Sequence, residues 1–374
     1  MRFTLSSTAL SSKLIALSRV INSKNSLPIL SDFVFEIDGT TLHLTASDSE
    51  NMMKTSVELI DRDENGSFAI GSHDLLEAMK GFSEQPITFE VNRQDNLAKI
   101  IYQNGQFSLP IESAEEFPMA QRVSSGATEI TMPCDILADN INRSVFATGQ
   151  DELRPVMSGI YFDLTPDCLA IVASDGRKLV RNKVFSVKSD VPASFILPKK
   201  PATLLKGVLG KEGGDVILRF DDRNAEISFE DGLIVCRLIE GRYPNYNSVI
   251  PQNNPNQLTV DRLALLSALK RVQPFANESS NLIRFHLESG LLQLDAEDND
   301  FSKTATEKMA CEYTGQPMSI GFNGVSFVEI LSNFDCQDIV LQLADPSRAG
   351  VIVPAEQPEG QDLLMLLMPM LIND

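Results

Sequence analysis

Histidine and cysteine are scarce in this chain, and a long apolar run is missing. Three histidines (His43, His73, His286) and five cysteines (Cys134, Cys168, Cys236, Cys311, Cys336) are spread over 374 residues. The cysteines are odd in number and no two form a CxxC pair. That argues against a disulfide framework and against a zinc site. The histidines have no neighbouring ligand pattern, so no metal and no cofactor is expected. No window reaches the roughly 18 apolar residues of a membrane span, so no membrane association is expected. Met1-Arg2-Phe3-Thr4-Leu5 enters a strand-like pattern at once, so no signal peptide is expected. A reducing cytoplasm is the expected compartment. Positive charge is the other shortage: 32 Lys and Arg face 51 Asp and Glu, a net charge of −19. Taken alone, that balance argues against nucleic acid and for a well-solvated monomer or scaffold.

What the chain does have is internal repetition. Leu27-Pro28-Ile29-Leu30-Ser31-Asp32-Phe33-Val34-Phe35 is echoed by Arg154-Pro155-Val156-Met157-Ser158-Gly159-Ile160-Tyr161-Phe162. Thr45-Ala46-Ser47-Asp48 is echoed by Val172-Ala173-Ser174-Asp175. Both echoes share one offset of 127 residues. A fainter third copy reads Leu282-Ile283-Arg284-Phe285, then Leu294-Asp295-Ala296-Glu297-Asp298. Units this long are whole domains, since solenoid repeats run roughly 20 to 50 residues. Three domains are therefore expected, at 1–125, 126–253 and 254–374. The turn-rich stretches Ser124-Ser125-Gly126 and Pro251-Gln252-Asn253-Asn254-Pro255 supply the linkers.

Each domain reads as two copies of a smaller unit: a strand, a helix, then two or three strands. Leu10, Leu14, Leu17 and Ile21 place one apolar face on a helix from about residue 8 to 23. Phe33, Phe35 and Ile37 alternate against Val34 and Glu36, and Asp38-Gly39 turns the chain into Leu42 and Leu44. Later helices are expected near 73–82, 134–148, 198–209, 261–272 and 324–334. Asn104-Gly105 and Asp231-Gly232 mark further hairpins. The apolar run 363–372 reads as a short core or edge strand with a proline in it. The class is α+β, with helices on one side and antiparallel sheets on the other.

The charge is unevenly placed. The helical windows 9–24, 198–213 and 261–277 carry +3, +3 and +2. The acid lies mostly in strands and loops. Arg19 points away from the apolar stripe of the first helix, and Lys199, Lys206 and Arg271 point away from theirs. From the charge count alone, a solvated helix face accounts for this more simply than a basic surface inside an acidic shell.

A catalytic reading finds little support. Asp48, Asp175 and Asp298 recur, but each belongs to a different domain, and an aspartate closing a strand-end turn explains them better. Gly207-Val208-Leu209-Gly210-Lys211 is spaced too tightly for a phosphate loop and lacks Ser or Thr after the lysine.

The three-domain repeat, Leu27-Pro28-Ile29-Leu30, Ser174-Asp175-Gly176-Arg177, Glu240-Gly241-Arg242-Tyr243-Pro244-Asn245-Tyr246, Ile320-Gly321-Phe322-Asn323 and the late Met368-Pro369-Met370 together resemble the bacterial sliding clamp, the β subunit of DNA polymerase III. The resemblance covers essentially the whole chain. It implies the DNA-clamp fold in a ring-shaped, head-to-tail homodimer, with the helices of six domains inside and the sheets outside. Phe107 and Leu109, on an edge strand, would face the region of Phe275 in the dimer. It further implies a non-catalytic processivity factor that encircles duplex DNA without sequence specificity. By position, Arg19, Lys24, Lys199, Lys200, Lys206 and Arg271 would face the DNA, and Gln150 and Arg154 match a family loop that touches it.

The resemblance also implies a pocket for short apolar peptides. The matching positions are Met157, Ser174, Gly176, Arg177, Leu179, Pro244, Val249, Asn323, Leu367, Met368, Pro369 and Met370. Partners implied are the replicative polymerase α subunit, the clamp loader, repair polymerases, ligase and mismatch-repair proteins, in the cytoplasm at the nucleoid. Leu371 and Ser248 stand where the family often has a basic residue, and Asn373-Asp374 extend the end. Two rivals remain: an acidic protein-binding scaffold that never encircles DNA, and a hydrolase using the repeated acids.

Overall fold

The computed structural model describes residues 1–209, 213–230 and 232–372. Gly210, Lys211 and Glu212, Asp231 of one expected hairpin, and Asn373-Asp374 lie outside the described residues. Six α-helices occur among the described residues: α1 (Ser7–Ser18), α2 (Ser72–Met79), α3 (Cys134–Val145), α4 (Lys199–Val208), α5 (Arg262–Val272) and α6 (Gly324–Ser332). Each begins at the residue after a strand ends, and three longer strands follow each, with a two-residue strand added after α1 (Asp61–Arg62) and α5 (Glu312–Tyr313). Side chains at the junctions fix where the helices start. Ser6 accepts from the Ala9 N–H, Asp261 from Ala264 and Asn323 from Ser326, which satisfies donors a helix start leaves open.

The first helix is shorter than its apolar spacing predicts. α1 stops at Ser18, and Val20 and Ile21 donate to the carbonyls three residues back. This tighter turn changes the phase. Leu10, Leu14 and Leu17 are buried as expected, but Val20 takes the inward place expected for Ile21.

The chain divides into two compact units, Met1–Ala138 with Lys200–Leu238, and Asp139–Lys199 with Ile239–Asp374. Every strand pair described is antiparallel. In the first unit one sheet of thirteen strands runs through the whole unit. Its fourth and fifth strands are Gly232–Arg237 and Asn51–Glu58, where Ile234 lies opposite Met53. Phe3, Phe35, Phe68 and Phe89 gather in the core, with the Phe3 and Phe89 rings stacked at 4.9 Å. α1 packs beside α2 on this core.

The second unit holds a nine-stranded and a four-stranded sheet. Strand Lys178–Val184 pairs with Gln361–Leu367, Val180 opposite Met365. The apolar run near the C-terminus is therefore a central strand rather than an edge, because Gly350–Pro354 pairs on its other side. Leu363, Met365 and Leu367 enter one core cluster, and Leu364 and Leu366 enter another. A strand covered on both faces needs apolar residues at every position. Pro369 lies beyond the ladder and breaks no bond in it. α5 packs beside α6. No helix among the described residues is long and apolar enough to cross a membrane.

One carboxyl opposes this packing. Asp32 opens strand Asp32–Asp38, and burial, then the charge of Glu112, pushes it up to about 6. A carboxyl held above its unfolded value of about 3.9 favours the folded state only while protonated. That contribution is complete below about pH 4 and disappears as the pH rises through 6. Asp32→Asn should therefore raise the melting temperature at pH 7.5 and leave it unchanged near pH 4. Thermal unfolding at the two pH values checks this, and an equal shift at both would show that the charge is not the cause.

Candidate functional site

The turn after strand Leu169–Ser174 is held by its own side chains. Ser174 Oγ donates to the Lys178 carbonyl at 2.8 Å and accepts from the Gly176 N–H at 3.1 Å. Asp175 Oδ1 accepts from the Arg177 and Lys178 N–H groups at 2.8 and 2.9 Å. Gly176 sits at φ +89°, a backbone that a side chain disfavours. The C-terminal segment is tied to this turn. Met368 N–H donates to the Arg177 carbonyl and Met370 N–H to the Gly321 carbonyl, both at 2.8 Å.

Beside that strap, Val249 and Met368 line a cavity of about 560 Å³ together with Ser248, Ile250, Arg348 and Ala349. Val249 is 54% and Met368 42% exposed. Two large apolar side chains open to water in a concave setting suit an apolar partner. Their support is rigid. Leu179, Leu364 and Leu366 pack with Tyr243 and Tyr246. The Tyr161 and Tyr243 rings stack at 4.6 Å, and the Tyr246 hydroxyl donates to Asp163 at 2.8 Å. Burial pushes both Tyr243 and Tyr246 phenols well above their ordinary range, so they stay neutral.

The twelve residues matched to the peptide pocket thus divide by role. Val249 and Met368 line the cavity. Met157, Leu179 and Leu367 are buried at 8%, 2% and 1% exposure and belong to the core. Ser174 and Gly176 shape the turn, with Arg177 and Pro244 exposed. Asn323 is occupied at both ends of its amide, capping α6 and donating to the Ser280 carbonyl. Pro369 is half-buried between the two tail bonds, and Met370 lines a separate cavity of about 1190 Å³ with Leu371, Ile372, Arg284 and His286. The wall formed by 347–349 carried no sequence signal, because it comes from a loop about a hundred residues from Val249.

The basic residues also divide. Arg19, Lys24 and Lys206 are exposed and make no ion pair with a described residue. Gln150 is exposed, and Lys199 is exposed at the first position of α4. Arg154 donates to Asp151 at 2.9 Å, and its guanidinium lies over Gly176. Two residues expected to face DNA are committed elsewhere. The Lys200 ammonium donates to the Val20 carbonyl at 2.6 Å, to Asn22 Oδ1 at 2.6 Å and to Asp48 Oδ2 at 2.5 Å. An ammonium has three N–H donors, so these partners saturate it. Arg271 forms a two-point ion pair with Glu307, which raises the guanidinium and lowers the carboxyl.

Two strand edges bear on Phe107, Leu109 and Phe275. Strand Gly105–Glu112 pairs along its length with Leu97–Tyr102 on one side but meets Gly66–Gly71 only at residues 111 and 112. Phe107 and Leu109 lie half-buried on that open stretch. Strand Lys303–Ala310 is the outermost of its sheet. The turn carrying Phe275, which is 39% exposed, packs against it.

The repeated aspartates hold turns. Asp48 Oδ1 accepts from the N–H groups of Glu50 and Asn51, as Asp175 does from residues two and three ahead, and Asp298 accepts from Asp300. One constellation invisible in the sequence does appear. Ser319 Oγ lies 2.7 Å from His286 Nδ1, and His286 Nε2 lies 3.0 Å from Asp295. His286 and Ser319 are direct cross-strand partners, and Asp295 already accepts from Gln293 and Thr306. This is a polar ladder over a sheet face, of the kind that stabilises strand pairs.

Three family models match the chain in tandem: the N-terminal domain of the DNA polymerase III beta subunit at residues 1–121, its central domain at 131–245 and its C-terminal domain at 247–370. Among curated relatives, the beta sliding clamp of Pseudomonas aeruginosa is 25% identical over 99% of this chain and 100% of that protein. The beta sliding clamp of Buchnera aphidicola is 26% identical, covering 98% of this chain and 99% of the relative. The fold matches a crystal structure of the Pseudomonas aeruginosa DnaN sliding clamp bound to griselimycin, with a TM-score of 0.94 at 24% identity and full coverage of both chains. It also matches the DNA polymerase sliding clamp of Bacillus subtilis, with a TM-score of 0.91 at 20% identity and full coverage of both. With all three domain models matched in order, the chain belongs to the DNA polymerase III beta subunit family.

Proposed function

We propose that this chain is a DNA polymerase processivity factor that closes into a head-to-tail dimeric ring around duplex DNA. The observation that carries the proposal is the tandem of three family matches from residue 1 to residue 370. The domain limits we assign are 1–125, 126–253 and 254–374. Duplex DNA presents dense negative charge, and base contacts would pin a protein to one site. A ring that holds DNA by topology needs only weak, mobile attraction to phosphates. Arg19, Lys24 and Lys206, exposed and without a paired carboxylate among the described residues, suit that role. Lys199, Gln150 and Arg154 join them in our reading. Lys200 acts as a structural cation instead, since its three donors are spent, and Arg271 is paired with Glu307.

The open edges of strands Gly105–Glu112 and Lys303–Ala310 offer unpaired backbone groups for a heterologous contact between two copies. Phe107, Leu109 and Phe275 would cover that joint. The cavity lined by Val249 and Met368 takes the apolar peptide of the replicative polymerase α subunit, the clamp loader, repair polymerases, ligase or mismatch-repair proteins. Methionine adapts to several partners. The protein performs no chemistry of its own and works in the cytoplasm at the nucleoid.

After loading onto nicked circular DNA, the protein should be retained, and it should be lost once the circle is linearised. Equal retention on both forms would favour the non-encircling scaffold. Val249→Asp with Met368→Ala should weaken binding of an apolar partner peptide by about tenfold or more while the melting temperature stays near that of the parent. Isothermal titration checks this, and unchanged affinity would move the pocket elsewhere.

A further inference from the structure

Arg19 is the C-cap of α1, and its guanidinium lies across the last turn of α4. A Cβ built on Gly207 would fall 2.1 Å from Arg19 Nη1 and 3.4 Å from Cζ. No side chain fits at position 207 while the guanidinium occupies that place. Glycine in a helix costs about 1 kcal/mol relative to alanine, so this notch exists against the helix's own preference. The electrostatics agree with the shape. Arg19 itself caps the C-terminus of α1 and its guanidinium lies at the last turn of α4, and helix C-termini attract cations. Arg19 has no ion pair with a described residue, so no carboxylate offsets its charge locally. The backbone beside it is fixed too, because Lys200 at the start of α4 holds the Val20 carbonyl and Asn22.

We propose that Gly207 is a positioning residue: its missing side chain seats the Arg19 guanidinium against α4 so that its charge is presented to DNA phosphates. The proposal rests on the reading of Arg19 as DNA-facing. The atom that a Cβ would meet is the far end of a flexible side chain, so Gly207→Ala displaces the guanidinium at little cost. The variant therefore separates stability from DNA binding.

The test uses the full chain and a short fluorescein-labelled duplex, with anisotropy measured across a salt series for Gly207→Ala, Arg19→Ala and the double variant. Gly207→Ala should melt at or above the parent temperature. It should also bind DNA about threefold more weakly, with a salt slope lowered toward the loss of one phosphate contact, about 0.9. The double variant should be no weaker than Arg19→Ala, because one effect runs through the other. If Arg19→Ala weakens binding and Gly207→Ala does not, the seating role is overturned while the DNA-facing role of Arg19 stands. If the two losses add, Gly207 acts by another route and the proposal also fails. If Arg19→Ala changes nothing, both the proposal and the DNA-facing reading of Arg19 fall.

Discussion

Backbone pairing between distant segments is the constraint on which the rest of the structure depends. Strand Gly232–Arg237 completes its ladder on Asn51–Glu58, and strand Lys178–Val184 completes its ladder on Gln361–Leu367. In each case a strand of the central family domain finishes a sheet begun by another domain. A sheet that ends in water exposes unpaired N–H and C=O groups, which invite adventitious pairing. Joining the repeats edge to edge removes four such edges. It also explains why the central repeat is shared between the two compact units. The tail strap depends on the same pairing: Met368 leaves strand Gln361–Leu367 directly beside the Ser174–Arg177 turn because Lys178 lies opposite Leu367. The cavity beside Val249 therefore inherits its position from a central strand rather than from a free loop.

Within this frame the cations fall into two kinds. Lys200 and Arg271 face carboxylates and have their charge answered locally. Lys178 is similar. Burial pulls its ammonium down, but Glu329 and Asp175 outweigh this and hold it above its ordinary value. Arg19 is different: it caps α1, and its guanidinium lies in the notch at Gly207 with no acid paired to it among the described residues. A net charge of −19 then poses no conflict with a DNA-binding role. A few unneutralised cations on helices matter more to a phosphate backbone than a distant acidic surface, which salt screens beyond about 8 Å.

Much of this was legible in the sequence, for local reasons. Apolar spacing of three and four located the first helix, the repeated strand–helix–strand plan located the other five, and the 127-residue echo located the repeat, because all three are patterns along the chain. The end of α1 was misplaced because the helix tightens after Ser18 and moves Val20 inward in place of Ile21. The final strand read as either core or edge because an apolar run alone does not say which strands flank it. The partners of Lys200 and Arg271 were hidden for a similar reason. Asp48 lies 152 residues from Lys200, and Glu307 lies 36 from Arg271. Charge counts along a helix see the cation and miss the distant acid. The pocket was half visible: Val249 and Met368 stand in recognisable runs, while the wall at 347–349 becomes part of it only through folding.

The central claim is that two copies, joined through open strand edges, enclose a hole lined by helices. Native mass spectrometry combined with electron micrographs of the same preparation tests it most directly. The account predicts a particle of twice the chain mass with a central opening wide enough for a double helix. A solid particle without an opening, at every concentration at which the dimer forms, would contradict it.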